Sequence, residues 1–504
     1  INEFKVGSFC MKEAIKSKQV LLKNNSYLKV MLLLFNITFN ILVLFTAVLI
    51  KDMSFEQWLF SFALLSLVQL LVNIITVSKL EKSFFSLTTL FLIFSYITHL
   101  GMVVIFGFDI NVELPWDPLL SITKDTFREA SYFAIFCHAF LTFGMCTVLY
   151  KRRTFKVCGE EKDLVEERTR QLKLLRSVGM ICVLVGIIPM LYIDLSRVML
   201  YMNGDYLDTY KVGVNGFIVI ISRFTEIGAV MLLIGNHKNK KRAGMIALMI
   251  VLYQSIIIFT GNRGRPVMYL IMVFFVYSQF VKNIGFKQFI KMSILAYIAG
   301  YLLTFIGQVR MASIDDISVY MELLKKGFTE YSMFKLLAEF GPTIITLGHS
   351  LTLFPDVAPF QYGTNYLVSI FTIFPNIGDT LTPLVDKTIY VYHMPPSMRE
   401  FLGGSYLGEL YYSFGDYSFL FAIVIGMLVA FVSNRIQKYI VEQRYALLSI
   451  YLLLFPSLLW WTRSYFVDMV REFVWISVGI LILYNYFGRK IPKKDFGGEK
   501  KDVR

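Results

Sequence analysis

Apolar stretches of similar length recur along this chain and are separated by shorter polar segments. A helix needs about 20 mostly apolar residues to cross the hydrocarbon core of a bilayer. The pattern therefore predicts an all-α, polytopic integral membrane protein with about twelve transmembrane helices. The predicted spans are 29–50, 56–78, 84–106, 129–150, 174–193, 213–235, 243–260, 266–281, 292–308, 413–433, 445–462 and 472–487.

The distribution of Lys and Arg between the connections gives an independent test of this topology. Cytoplasmic connections of membrane proteins carry an excess of both residue types. When the N-terminus is placed in the cytoplasm, alternate connections are basic, and 34 of the 50 Lys and Arg residues fall on the cytoplasmic side. We therefore expect an even number of spans with both termini in the cytoplasm.

One connection on the opposite side of the membrane is far longer than the others. Its aromatic and aliphatic runs alternate with Pro, Gly and Asp, which predicts short helices at the outer membrane interface. A loop of this length in a compact protein is usually functional. The expected regions are a cytoplasmic N-terminal segment at 1–28, transmembrane helices one to nine at 29–308, the large extracytoplasmic loop at 309–412, transmembrane helices ten to twelve at 413–487 and a basic cytoplasmic tail at 488–504.

Composition supports the membrane assignment and argues against several other classes. Hydrophobic residues make up 56% of the chain, charged residues make up 17%, and the mean hydropathy is +0.60, values that do not fit a water-exposed surface. The net charge of +14 would suggest nucleic-acid binding in a soluble protein, but cytoplasmic connections account for most of it, so no nucleic-acid partner is expected. The five Cys residues contain no Cys-x-x-Cys pair, and hydrolase, ATPase and zinc motifs are absent, so we expect neither a metal nor a cofactor.

The arginines outside the cytoplasmic connections carry the first functional signal. A guanidinium can donate two parallel hydrogen bonds to phosphate oxygens, and a neighbouring glycine lets a ligand approach the backbone closely. As a group they predict a binding site for a phosphate-bearing anion, whereas the alternative for each one is an ion pair with a carboxylate or contact with lipid headgroups. The arginines at predicted outer turns and helix ends are Arg263, Arg265, Arg310, Arg399, Arg463 and Arg471.

A further charged pair, Arg223 and Glu226, lies well inside the predicted sixth helix. Residues three apart share one face of a helix. Because a charge at this depth costs about 2.5–3.5 kcal/mol on insertion scales, both side chains must face the bundle interior or a wet cavity. The pair either stabilises the bundle or forms part of a substrate cavity, and we include Arg223 in the predicted anion site.

The long loop supplies the candidates for acid–base chemistry. Glu339 and Glu409 are carboxylates flanked by apolar residues, and His349 is a third group that can accept a proton. Asp379 and His393 are further ionisable residues of the same loop. Each of these five residues is a candidate general base, and the sequence pattern leaves the choice among them open.

Several short motifs occur in an order similar to that in the Wzy family, the O-antigen and capsular polysaccharide polymerases. The resemblance covers most of the chain from about the fourth predicted helix onward and includes the large outer loop. The motifs are Gly261-Asn262-Arg263-Gly264-Arg265-Pro266, a Gly-x-x-Arg exit at Gly307–Arg310, Gly404-Ser405-x-x-Gly408-Glu409-Leu410-Tyr411, Phe414-Gly415 and Trp461-x-Arg463.

The resemblance implies a GT-C-like fold and a bacterial inner-membrane enzyme whose active site faces outward. It implies a donor glycan on undecaprenyl diphosphate, an acceptor hydroxyl on the next lipid-linked repeat unit, and a bilayer around the protein. The leaving group would be a diphosphate, whose growing charge arginines could stabilise without a metal. Glu339 or Glu409 would deprotonate the acceptor, with His349 in reserve. A chain-length regulator and a flippase are further implied partners.

Two other functions remain open on the sequence. An O-antigen ligase shares the lipid-diphosphate donor and an arginine-lined outer face, and the sequence pattern separates it poorly from a polymerase. A transporter or flippase could also have twelve helices and intramembrane charges, but such proteins usually show two related halves, and we find no such symmetry in this sequence.

Overall fold

The computed structural model of the chain describes residues 25–112, 114, 116–150, 162–203, 216–259, 264–282, 321, 334–374, 380–399 and 402–490. Every regular secondary-structure element in these ranges is a helix. The all-α prediction is confirmed there.

The helices are of two kinds, long apolar ones and short ones, most of which lie within the predicted outer loop. In chain order the α-helices are α1 Asn25–Leu49, α2 Phe55–Glu81, α3 Leu87–Gly107, α4 Pro118–Ser121, α5 Lys124–Tyr150, α6 Lys162–Asn203, α7 Gly216–Gly235, α8 Lys240–Phe259, α9 Gly264–Phe280, α10 Lys335–Phe340, α11 Thr343–Leu353, α12 Thr364–Phe371, α13 Thr382–Thr388, α14 Pro396–Arg399, α15 Tyr406–Phe414, α16 Ser418–Glu442, α17 Tyr445–Trp461 and α18 Phe466–Lys490, with 3₁₀ helices at Tyr390–His393 and Gly415–Tyr417.

Eight helical segments in the described ranges are long and apolar enough to cross a membrane. They are α1 to α3, α5 to α8, and a continuous segment formed by α15 and α16, and they overlap eight of the predicted spans. Three more predicted spans fall on other helices: 266–281 on α9, 445–462 on α17 and 472–487 on α18. The predicted span 292–308 lies outside the described residues. The chain is therefore a polytopic membrane protein, while the number of twelve spans stays a prediction.

Large apolar side chains cover the outside of several of these helices. On α8, Leu248, Met249 and Leu252 are 57%, 70% and 57% exposed. Contiguous apolar surface of this kind is rare on proteins that are surrounded by water. These faces are therefore suited to contact with lipid acyl chains.

The chain divides into two compact units, each built from separate stretches of sequence. Unit 1 comprises 1–156, 284–438 and 454–471, and unit 2 comprises 157–283, 439–453 and 472–504. The helices α16, α17 and α18 contribute residues to both units.

Buried amides hold the first two helices of unit 1 together. The Nδ2 groups of Asn36 and Asn40 on α1 each donate a hydrogen bond of 2.9 Å to Oδ1 of Asn73 on α2. Gln69 of α2 in turn donates to Oδ1 of Asn40 at 3.0 Å. All four side chains are buried. Because an unpaired amide is costly in an apolar medium, these bonds favour the observed pairing of α1 with α2.

Glycines allow α5 and α16 of unit 1 to approach until their backbones touch. A Cβ at Gly144 would overlap the backbone oxygen of Ile423, and a Cβ at Gly426 would overlap the backbone oxygen of Leu141. Small residues permit this close helix packing, which gains van der Waals contact where apolar lipid provides little driving force for association.

The described part of the long loop contains short helices, as its punctuated sequence predicts. Two of them lie in the packed interior of unit 1. Helix α10 buries Ala338 and Phe340 and packs against α3, and α11 buries every residue from Thr343 to Gly348. The loop therefore forms part of the core of unit 1.

Unit 2 is organised around the pairing of α6 with α7. A Cβ at Gly228 of α7 would lie 2.7 Å from the backbone oxygen of Gly179 on α6, so both helices approach closely at this point. Helix α6 continues to Asn203, well beyond the predicted end of the span at 193. The charged residues Asp194 and Arg197 ended the apolar run in the sequence, but in the structure they pair with each other on this extension, and Tyr253 of α8 donates to Asp194.

We predict that Gly144→Ala and Gly426→Ala each destabilise the purified protein by about 1–3 kcal/mol, because a new methyl group meets backbone that cannot move aside cheaply. Gly244→Ala on α8 is the matched control, since nothing lies within 4 Å of a Cβ at that position. Thermal unfolding in detergent, followed by the loss of the monodisperse fraction, measures the effect. Equal midpoints for all three variants would contradict the close packing.

Candidate functional site

The structure brings two of the predicted anion-binding arginines, Arg223 and Arg265, together in unit 2. Arg223 Nη1 donates to Oε1 of Glu226 at 2.7 Å, as the spacing of three residues on α7 predicts. Arg265 Nη2 lies 3.6 Å from the other carboxylate oxygen of Glu226 and donates a short hydrogen bond to Glu472 of α18. Glu226 therefore links both guanidiniums.

The start of α9 places Arg265 in this cluster. The helix begins at Gly264, and Pro266 occupies its first turn, where the missing backbone N–H costs no intrahelical hydrogen bond. Tyr269, one turn later, donates from its hydroxyl to the backbone oxygen of Glu226 at 2.8 Å. This contact fixes α9 against α7 beside the ion pairs.

A second charged pair borders the same cavity. Asp194 and Arg197 lie three residues apart on α6 with 3.6 Å between Oδ1 and Nη1, and the hydroxyl of Tyr253 donates to Oδ2 of Asp194 at 2.6 Å. The empty space between the lining residues is about 470 Å³, a volume that includes open solvent at the mouth of the cavity. The charged residues that line it are Asp194, Arg197, Arg223, Glu226 and Arg265.

The charges of this cluster balance within the described residues. Three arginine side chains, which are 17–26% exposed, stand beside three carboxylate side chains, which are 13–18% exposed. Each guanidinium is held by a carboxylate yet keeps part of its surface accessible from the cavity. The Nε of Arg223 is buried and has no hydrogen-bond partner in the described part of the chain. The arrangement can hold the guanidiniums in place and still present N–H groups to an anion.

In unit 1, the Gly404–Glu409 motif lies at the junction of several helices. A Cβ at Gly404 would come within 2.5 Å of the backbone carbon of Ser464, so only glycine allows this approach. Ser405 caps α15 by accepting a hydrogen bond from Gly408 N at 3.1 Å, and its hydroxyl also pairs with Nε2 of His99 on α3 at 2.8 Å. The motif is thus tied to distant parts of unit 1.

The carboxylate of Glu409 has well-defined partners inside the protein. Trp461 Nε1 donates to Oε2 at 2.9 Å, and the backbone N–H of Phe466, the first residue of α18, lies 3.3 and 3.2 Å from the two oxygens. The residue is 0% exposed. Glu409 therefore holds the turn between α17 and α18, which carries Arg463.

Arg463 and Glu339, far apart in sequence, also meet in unit 1. Nη1 of Arg463 donates to the backbone oxygen of Glu339 at 3.1 Å, and the guanidinium carbon lies 5.1 Å from the ring centroid of Phe340. The Glu339 side chain is half-buried on α10. This places a predicted anion-binding arginine beside a predicted base.

The structure does not bring the other predicted site residues into these clusters. Nε of Arg399 donates to the backbone oxygen of Met394 at 2.7 Å, and Nε of Arg471 donates to that of Thr372 at 2.7 Å. His349 is half-buried on α11, where burial lowers the pKa of its imidazole. The remaining two predicted residues, Arg263 and Arg310, lie outside the described residues.

Sequence reasoning missed four members of the unit 2 cluster: Asp194, Arg197, Tyr253 and Glu472. Asp194 and Arg197 repeat the spacing of Arg223 and Glu226, and extending the fifth span past residue 193 would have revealed them. Nothing in the local sequence marks Tyr253 or Glu472. Within the described residues, no group of three or more His, Cys, Asp or Glu side chains could hold a metal ion.

The helical fold defines a multi-pass membrane protein, and the arginines of unit 2 line a cavity within it. The family model for the O-antigen polysaccharide polymerase Wzy matches residues 32–495. The chain therefore belongs to this polymerase family, as its motifs predict. No curated protein and no solved structure matches the chain.

We predict that Glu409→Ala lowers thermal stability by about 1–3 kcal/mol for each donor left without its acceptor, namely Trp461 Nε1 and Phe466 N. Glu409→Gln keeps one oxygen and should lose less. Glu129→Ala, an exposed carboxylate of unit 1, is the control. Thermal unfolding in detergent measures the structural role of Glu409. If Glu409→Gln and Glu409→Ala kept full stability but lost activity, Glu409 would instead act as a general base.

Proposed function

We propose that this protein polymerises undecaprenyl-diphosphate-linked oligosaccharide repeat units into O-antigen or capsular polysaccharide at the outer leaflet of the bacterial inner membrane. The observation that carries the proposal is the cavity of unit 2, where Arg197, Arg223 and Arg265 line one space in a chain that belongs to a polymerase family. Guanidiniums at a cavity suit a diphosphate better than they suit a neutral sugar.

The proposed reaction is a glycosyl transfer. The oxygen of an acceptor hydroxyl attacks the anomeric carbon of the donor glycan, the carbon–oxygen bond to the diphosphate breaks, and the hydroxyl proton passes to a base. Negative charge grows on the leaving diphosphate. N–H donors that are already oriented toward that charge lower the barrier, since they need not reorganise during the reaction.

In this proposal Arg223 and Arg265, joined by Arg197, contact the diphosphate. Their carboxylate partners hold the guanidiniums in place before the substrate binds, and the substrate oxygens then compete for the N–H groups facing the cavity. Further phosphate-binding residues are proposed because the sequence places them at outer turns and helix ends. They are Arg263, Arg310, Arg399, Arg463 and Arg471.

We rank the candidate bases for the acceptor hydroxyl by how accessible their side chains are in unit 1. Glu339 comes first because its side chain is only half-buried, whereas Glu409 is enclosed and bonded to two N–H donors. His349 is the second choice. Its lowered pKa keeps the imidazole neutral near pH 7 and therefore able to accept a proton.

The proposed activity sets the partners and the location of the protein. Both substrates are lipid-linked glycans in the outer leaflet, so the active site faces outward. The flippase that delivers the repeat units and a regulator of chain length are proposed partners.

We expect the purified protein in detergent to lengthen a lipid-linked repeat unit with no ion gradient present, giving a ladder of products on a gel. Transfer of glycan only to an added non-repeat acceptor would identify a ligase. A protein that moves lipid-linked glycan across vesicle membranes and forms no longer product would be a transporter. Either result would overturn the proposal.

We predict that Arg265→Gln slows polymerisation by about 10²–10³-fold, the range for loss of one donor to a developing charge. The double variant Arg265→Gln/Glu472→Gln should remain equally slow, although it removes both charges of the pair together. If the arginine only neutralised Glu472, the double variant would recover activity, which would contradict diphosphate binding. Arg444→Gln is the control, because Arg444 is 61% exposed and pairs only with its neighbour Glu442 in the described residues.

A further inference from the structure

A second cavity of unit 2 is lined by cations and, as far as the described part of the chain extends, by no acidic residue. It lies where α6, the end of α7 and the start of α8 meet. Its empty space is about 400 Å³, a volume that includes open solvent at its mouth. Its lining comprises Thr169, Leu172, Arg176, Gly235, Asn236, Lys238, Asn239 and Arg242. Within the described ranges, no Asp or Glu borders it, and Arg176, Lys238 and Arg242 form no ion pair. This basic groove contrasts with the charge-balanced cavity of the same unit.

The backbone fixes two of these cations at the groove. A Cβ at Gly235 would lie 2.5 Å from Cγ of Arg176, so glycine lets this side chain lie across the end of α7. Nε of Arg176 donates to the backbone oxygen of Leu172 at 3.3 Å, one turn toward the start of α6. Asn239 caps α8 by accepting a hydrogen bond from Arg242 N at 3.1 Å. The basic groove is therefore built by local structure.

Exposed apolar side chains continue from both arginines along the helices. Met180 and Leu184, 49% and 62% exposed, follow Arg176 at spacings of four and eight residues. Met245 and Met249, 50% and 70% exposed, follow Arg242 at spacings of three and seven. At these spacings each arginine and its apolar followers share one helix face. A cationic end joined to an apolar face matches the shape and polarity of a phospholipid.

We propose that the basic groove binds the phosphate headgroup of an anionic phospholipid, with the acyl chains along the exposed faces of α6 and α8. The charge alone would also accept inorganic phosphate, but only a lipid uses the apolar continuation of both faces. The groove lies at the Lys-rich ends of these spans, which the sequence predicts to be cytoplasmic, and basic pockets there are suited to anionic headgroups. None of its lining residues belongs to the cavity proposed for the diphosphate.

The test compares two double variants of the full-length protein that lose equal charge from the same helices. Arg176→Gln/Arg242→Gln removes two lining cations, whereas Lys173→Gln/Lys240→Gln removes two exposed cations outside the lining. Native mass spectrometry counts phosphatidylglycerol bound to the folded protein during a titration, with phosphatidylethanolamine as the zwitterionic comparison. We expect about 25-fold weaker phosphatidylglycerol binding in the lining variant, at about fivefold per arginine, and little change in the control.

Two results would overturn the proposal. Equal weakening in both double variants would show attraction to general surface charge, and inorganic phosphate that displaces phosphatidylglycerol at millimolar concentration would show a site for a soluble anion. If the glutamine variant does not fold, Arg176→Lys/Arg242→Lys keeps both charges and should bind the lipid within a few-fold of the wild type. Loss of binding in that folded variant would also contradict the proposal.

Discussion

Charged side chains within apolar helices are stable only when other groups replace the water they have lost, and this requirement organises both units of the protein. In unit 2, Arg223, Arg265 and Arg197 each stand beside a carboxylate. In unit 1, the buried carboxylate of Glu81 accepts hydrogen bonds from Thr88 and Ser433, and that of Glu409 accepts them from Trp461 and the start of α18. Arg223 and Glu226 lie on one helix, but Arg265 with Glu472 and Glu81 with Ser433 join different helices. Pairing these charges therefore also favours a particular packing of the helices.

Under the proposed function, charge balance also suits the unit 2 cavity to a reaction in which negative charge develops on a leaving group. A set of unpaired arginines in an apolar bundle would repel one another and would be costly to bury. Carboxylate partners offset the cost of burying the arginines before the substrate binds. The guanidiniums then remain oriented when a leaving group gains negative charge. Among the residues that the structure describes, the basic groove in the same unit is lined by no such acid, and its cations Lys238 and Arg242 are exposed, which fits a ligand that is already anionic. The charge-balanced cavity is thus proposed to bind the lipid-linked diphosphate, and the basic groove is proposed to bind an anionic phospholipid.

Close backbone contact is the second constraint, and the family-like motif in unit 1 depends on it. Gly404 lets the chain touch the turn after α17, Ser405 caps α15, and Glu409 binds the first backbone N–H of α18. A motif that contains a candidate general base therefore also has a structural role. Residues 404–409 position Arg463 and its surroundings, whichever side chain accepts the proton.

The sequence by itself determined the helical class, eight of the described spans, the short helices of the long loop and the Arg223–Glu226 pair. All of these follow from hydropathy over about 20 residues or from a spacing of three on one helix, which are local properties. Tertiary structure alone decided that Arg265 meets Glu472, that Tyr253 meets Asp194, and that Glu409 is enclosed by Trp461 and α18. These contacts join residues from separate helices, and helix packing is set by many weak side-chain contacts that no single stretch of sequence contains.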